Sequence, residues 1–190
     1  MKSKLTLRCI CEGAIMLALS MALNAIKIWR MPNAGSVDLS MIPMFFFAIR
    51  WGVGPGVLVS FAFGLLQMFV DGAVAWGWQS MLLDYLVAYM PLGLCGLFRG
   101  KSKGIFAGIL VGGLLRFVVH FISGITIYAI TVPTELFNIT YTSPWMYSLV
   151  YNGSYMAIDI AICLVVFAAL YKPLNKYILA QDIDAARAAA

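Results

Sequence analysis

The sequence predicts an all-α integral membrane protein, a bundle of six transmembrane helices with both termini cytoplasmic. Three observations lead there. Hydrophobic side chains make up 63% of the chain and charged ones 11%, with a mean hydropathy of +0.92, whereas soluble domains carry about 25% charged residues. Apolar runs recur at close to the length of about 20 residues that crosses hydrocarbon. The basic residues stand in islands between those runs, the distribution expected of cytoplasmic loops. Residues 1–190 read as a single membrane domain, with no Ser/Gly/Pro-rich linker dividing them.

The first run covers about 7–27. Its basic start and the stretch "ALNA" would also suit a cleaved signal, but the following chain is itself polytopic, so the run is read as a spanning helix. Ala14, Ala18 and Ala22 form one stripe on it, with Gly13 and Ser20 nearby. Small residues four apart let membrane helices approach closely. The stripe serves either packing inside the bundle or docking of another membrane subunit.

The second run, about 39–51, is short for a span. The sequence "RWGVGPG", Arg50 to Gly56, breaks the chain directly after it. It is expected to be a short helix or one shielded by its neighbours. Four further spans follow at about 54–71, 78–98, 104–128 and 145–171. Gly52, Gly54, Gly56 and Gly64, then Gly104, Gly108 and Gly112, recur at short intervals suited to close helix packing.

Six crossings put both termini on one side. With the N-terminus inside, Lys2, Lys4, Arg8, Arg50, Arg99, Lys101, Lys103, Lys172, Lys176 and Arg187 are cytoplasmic, and Lys27 and Arg30 fall outside. The reverse orientation would expose those ten basic residues. The net charge of +5 thus speaks for a membrane and against nucleic acid.

Several chemistries are excluded or disfavoured. No GxxxxGK[ST] phosphate loop occurs, so any ATP-driven work falls to a partner. Cys9, Cys11, Cys95 and Cys163 form no CxxC pair, and the single histidine completes no zinc site with them, so no metal is expected. One histidine, no HExxH and no second carboxylate near Asp84 argue against an intramembrane enzyme, and no catalytic residue is assigned.

The polar residues of the spans converge at one level. At a rise of 1.5 Å per residue, Asp84 lies roughly 9 Å below the outer end of the fourth span and His120 roughly 24 Å up the fifth. Tyr147 and Asn152 fall within roughly 10 Å of the outer end of the sixth. Trp29 and Arg30 belong to the first outer loop. Arg116 shares a helix face with His120, so an Asp84–Arg116 ion pair would account for both charges without a ligand. Tyr147, Tyr151 and Trp145 would also suit an interfacial aromatic belt. Asp159 lies deeper and suits an internal polar network, and Asp71 a solvated position. A carboxylate beside aromatic faces favours an organic cation carrying a flat ring. The residues alone reach as far as a small aromatic or cationic solute bound from outside.

The stretch "WRMPNAGSVDLSMIPMFFFAIRWGVGPGVLVSFAFGLLQ", followed by "LLDYLVAYMPLGLCGLF", "RFVVHFISG" and "YSLVYNGSYM", resembles the thiamine-specific substrate-binding subunits (S-components) of energy-coupling factor transporters. The resemblance covers about residues 8–170 and implies six helices, a thiamine pocket near the outer face of the cell membrane and no cofactor. It implies that Trp29 stacks on the ligand, that Asp84 and Tyr85 stand for the family's Glu-Tyr pair, that His120 stacks on a ring, and that Tyr147 and Asn152 make polar contacts. Tyr128 stands where the family pattern has a stacking tryptophan, and Asp84 carries one methylene less than the family's Glu. The Ala14/Ala18/Ala22 stripe matches the surface by which S-components dock on a transmembrane coupling subunit, with two ATPase subunits supplying the energy. A related subunit for another cationic or aromatic solute, or an uncoupled facilitator, is the alternative.

Overall fold

A computed structural model describes residues 6–32, 35–72, 77–131 and 133–188 and, within these, the side chains of all but 128–131 and 187. Helix α1 spans Leu7–Ala25, α2 Met41–Trp51 and α3 Val53–Val70. Helix α4 covers Trp78–Met81 and runs into a π-helical turn, Leu82–Val87, and a 3-10 run, Met90–Phe98. Helices α5 (Gly104–Thr131), α6 (Pro144–Ile178) and α7 (Gln181–Ala188) complete the helical set. Two short antiparallel hairpins, β1–β2 (Trp29–Arg30, Ser36–Val37) and β3–β4 (Thr134–Leu136, Ile139–Tyr141), lie between helices.

The surface is inside out relative to a soluble bundle. On α1 the buried residues are Cys9, Gly13, Ser20 and Asn24, while Leu7, Ile10, Ile15 and Leu19 are exposed. Lipid is as apolar as leucine, so burying leucine against another helix yields little; close approach and interhelical hydrogen bonds decide which face turns inward. Ser20 Oγ donates to the Ser40 carbonyl at 2.8 Å. Among the described residues, five helical segments are long and apolar enough to cross a membrane, and the shorter α2 is a sixth apolar helix.

Helix α2 is short because it is shielded. Met41, Met44, Phe45, Phe47, Ala48 and Ile49 are all buried, and most of them share one core with Phe63, Leu92, Ile109, Met156 and Phe167. It contacts α1, α3, α5, α6 and the 3-10 run. Gly52, at φ 90, turns the chain from α2 into α3, a region that only glycine enters freely. The 3-10 run packs so closely on α3 that a Cβ at Gly93 would run into the backbone at Val57.

The fourth span departs from the regular helix expected at about 78–98. Ala88 N–H bonds to the Leu83 carbonyl at 2.8 Å, one residue further back than in an α-helix. Pro91 then supplies no N–H, and the chain tightens into 3-10 geometry. Helix α7 and both hairpins are also additions to the six expected runs.

The end opposite the hairpins is locked by ion pairs around Arg50, 3% exposed. Its Nε donates to Glu12, Nη1 to Asp182 and the Tyr177 carbonyl, and Nη2 to Glu12 and Asp182, at 2.8–3.2 Å. Trp51 Nε1 donates to Glu12 at 2.8 Å and Arg8 pairs with both acids. Arg99 donates to the Arg50 carbonyl at 2.7 Å and to Asp184 at 2.6 Å. Ile183 and Ala180 close the seam against Cys9, Phe47 and Trp51. We refer to this as the basic end and to the other as the hairpin end.

Candidate functional site

At the hairpin end, the π-helical turn presents Asp84, whose side chain is 27% exposed. Ser80 and Ser123 hydroxyls each donate to its Oδ2 at 2.9 Å. Its Oδ1 meets His120 Nδ1 at 3.0 Å. Arg116 Nε lies 3.4 Å from His120 Nε2. A guanidinium can only donate, so Nε2 accepts and the imidazole carries its proton on Nδ1, directed at Asp84. His120 is then neutral. The direct Asp84–Arg116 pair weighed from the sequence does not form: the histidine stands between the two charges.

Arg116 is 7% exposed, and its guanidinium carbon sits 4.0 Å from the centroid of the Tyr89 ring. Among the described residues it makes no ion pair. Burial beside an aromatic face compensates part of the lost hydration. Asp159, 2% exposed, accepts from the Asp38 N–H at 3.1 Å, and Asp38 pairs with Lys27 at 3.0 Å. The internal polar network expected around Asp159 is therefore present. Asp71 accepts from Gln67 at 3.0 Å at the end of α3.

Helix α6 carries a ladder of tyrosines at four-residue spacing, which places them on one face. Tyr147 and Tyr151 stack at 5.7 Å and 10°, and Tyr151 meets Tyr155 edge-on at 5.9 Å. Tyr147 and Tyr151 are 1% and 4% exposed, so they are core residues and not part of an interfacial belt. Trp145, 59% exposed, keeps the belt position. Asn152 donates to the His120 carbonyl at 3.2 Å and accepts from the Tyr155 hydroxyl at 2.9 Å. Tyr155 also presents its ring edge-on to His120 at 6.2 Å. Ser148 donates to the Phe121 carbonyl at 2.8 Å, completing the seam between α5 and α6.

The sequence-derived residues thus divide. Asp84, His120 and Asn152 meet in one network, and Tyr147 joins it through the tyrosine ladder. Tyr85 is buried at 8%, its carbonyl facing Gly64 of α3. Trp29, 38% exposed, stacks on Phe137 of the second hairpin at 6.2 Å and 23°. Tyr128 lies outside the described side chains. Ala14, Ala18 and Ala22 are all exposed, flanked by exposed Ile15 and Leu19. Ser80, Ser123, Tyr89 and Tyr155 were not anticipated. Ser80 and Ser123 could have been found from Asp84 itself, because a half-buried carboxylate needs donors and Ser80 lies one turn before it.

Fold and family together define a multi-pass membrane protein of the transporter class, with apolar side chains turned outward and a polar and aromatic cluster within. Residues 10–179 match the family described as thiamine transporter protein (Thia_YuaJ), and the chain belongs to that family. The thiamine transporter ThiT of Bacillus subtilis (strain 168) is 34% identical over 175 residues, covering 84% of this chain and 88% of that protein. The thiamine transporter ThiT of Lacticaseibacillus paracasei is 29% identical over 192 residues, with 91% of each covered. The solved structure of ThiT from Listeria monocytogenes superposes with a TM-score of 0.78 at 21% identity, over 90% of this chain and 97% of that one. That likeness speaks for the fold. The family is one of plasma-membrane transporters, not enzymes.

Proposed function

We propose that this chain is the thiamine-capturing subunit of an energy-coupling factor importer, with the hairpin end outside and both termini in the cytoplasm. The single observation that carries the reading is Asp84. Its carboxylate is half-buried, bonded by two hydroxyls and a neutral imidazole, and among the described residues it has no full counter-charge in contact. A monocation such as the thiazolium of thiamine would supply that counter-charge, and the surrounding aromatic faces suit a flat heterocycle.

Trp29, Asp84, Tyr85, His120, Tyr128, Tyr147 and Asn152 form the proposed binding set. Asp84 supplies charge, Trp29 and Tyr128 supply faces, and His120 and Asn152 hold one another in register. Docking on a transmembrane coupling subunit would use the exposed Ala14, Ala18 and Ala22, whose small side chains permit close helix contact. Two ATPase subunits would then drive release to the cytoplasm.

Calorimetric titration of the detergent-purified protein with thiamine tests the reading. Saturable binding that weakens in Asp84→Asn is expected. A folded protein that binds no thiamine, or an Asp84→Asn variant of unchanged affinity, would sink it.

A further inference from the structure

The two hairpins rest on one support. Tyr151 of the ladder receives the Gly35 N–H at 2.9 Å and donates to the Pro32 carbonyl, which anchors the first hairpin at those two residues. Tyr141 at the end of the second hairpin meets Tyr147 edge-on at 5.8 Å. Met31 and Val37 from the first hairpin and Leu136 from the second are buried in the same core as those tyrosines. The hairpins are thus two leaves anchored side by side on the tyrosine ladder, whose third member, Tyr155, meets His120, the partner of Asp84. They touch across the top through Trp29 and Phe137.

Phe137 reaches that contact by an unfavourable route. Leu136 pairs with Ile139, so Phe137 and Asn138 are the two central residues of a tight turn, at φ 52 and 62. Such a turn favours Asn or Gly at both places. A bulky side chain with positive φ is a true outlier, and outliers of this kind collect at ligand clamps. Asn138 follows the rule and Phe137 breaks it. What the exception gains is a ring laid on the indole of Trp29.

We propose that Phe137 is a positioning residue for substrate capture: it holds Trp29 over the mouth of the Asp84 pocket and so sets how long a bound solute stays. The proposal rests on the thiamine reading and adds to it a residue on the opposite leaf that need not touch the ligand. Removing the ring leaves the indole free to swing, which speeds escape. Entry past an unclamped indole is no slower than in the wild type.

The test is a pulse–chase measurement on the full-length protein in detergent. Labelled thiamine is bound, then chased with excess unlabelled thiamine, for the wild type, Phe137→Gly and Phe137→Tyr. An aromatic pair is worth a factor of about three to ten, so Phe137→Gly should release thiamine faster by that factor. Phe137→Tyr should restore the wild-type rate. Glycine also relieves the positive φ, so the melting temperature of Phe137→Gly should equal or exceed that of the wild type, separating the effect from loss of fold. A wild type that binds thiamine with no change of release in Phe137→Gly overturns the positioning role alone. A wild type that binds no thiamine overturns the functional reading, and Phe137's role in capture with it.

Discussion

Among the described residues two arginines are buried, one at each end, and they are treated in opposite ways. Arg50 at the basic end has every guanidinium nitrogen bonded, to two carboxylates and a carbonyl. Arg116 at the hairpin end has one long hydrogen bond to His120 and an aromatic face, with no ion pair among the described residues. The acids differ in the same sense. Glu12 and Asp182 each meet two guanidinium groups, whereas Asp84 meets two serines and a neutral imidazole. A saturated cluster has no further capacity and serves as a fastener. An unsaturated one retains charge and acceptor capacity for something that arrives later.

That contrast is broken most severely at the basic end. Arg50→Met leaves the half-buried Glu12 and Asp182 with Arg8 as their remaining cation and Glu12 with the Trp51 indole, and losing one member of a buried pair costs about 3–5 kcal/mol. Thermal melting in detergent should fall further for this variant than for any of those that follow. At the hairpin end Asp84→Asn should leave melting nearly unchanged while weakening thiamine binding by roughly 2–3 kcal/mol, about 30- to 150-fold, read by calorimetry. Arg116→Met strands no carboxylate, so it should cost only about 1.5–2 kcal/mol of stability, the worth of a hydrogen bond to a charged group. A loss equal to that of Arg50→Met would show that the two ends are built alike. Ala18→Trp on the exposed stripe should have the smallest effect on binding, leaving affinity as in the wild type while uptake into cells is abolished. Loss of binding in that variant would assign the stripe to packing within the bundle.

The contrast also explains what could be read from the sequence. Composition, run length and basic islands carry the membrane bundle because the bilayer imposes them directly. Asp84 was legible because a carboxylate in an apolar run needs a reason, and His120 because it is the sole histidine. Arg50 was counted as one more cytoplasmic positive charge, since its partner Asp182 lies 132 residues away and nothing local announces the pairing. The fourth span was expected as a plain helix; π and 3-10 turns depend on which carbonyl an N–H finds, and only Pro91 hints at it. Tyr147 and Tyr151 looked equally suited to the interface, and the choice was made by the two hairpins that cover them. Those hairpins escaped notice because two- and three-residue strands carry no periodicity.

The fastener at the basic end also sets an order of events in biosynthesis. Arg50 finds Glu12 early, since the two are only 38 residues apart, but Asp182 leaves the ribosome 132 residues after Arg50. At about 5–20 residues per second, that delay is roughly 7–26 s. Until then a guanidinium destined for burial is only partly neutralised, and α1 and α2 are held by one acid instead of two. A chain cut short before Asp182 would leave Arg50 with Glu12 as its single carboxylate partner and Nη1 with the Tyr177 carbonyl alone.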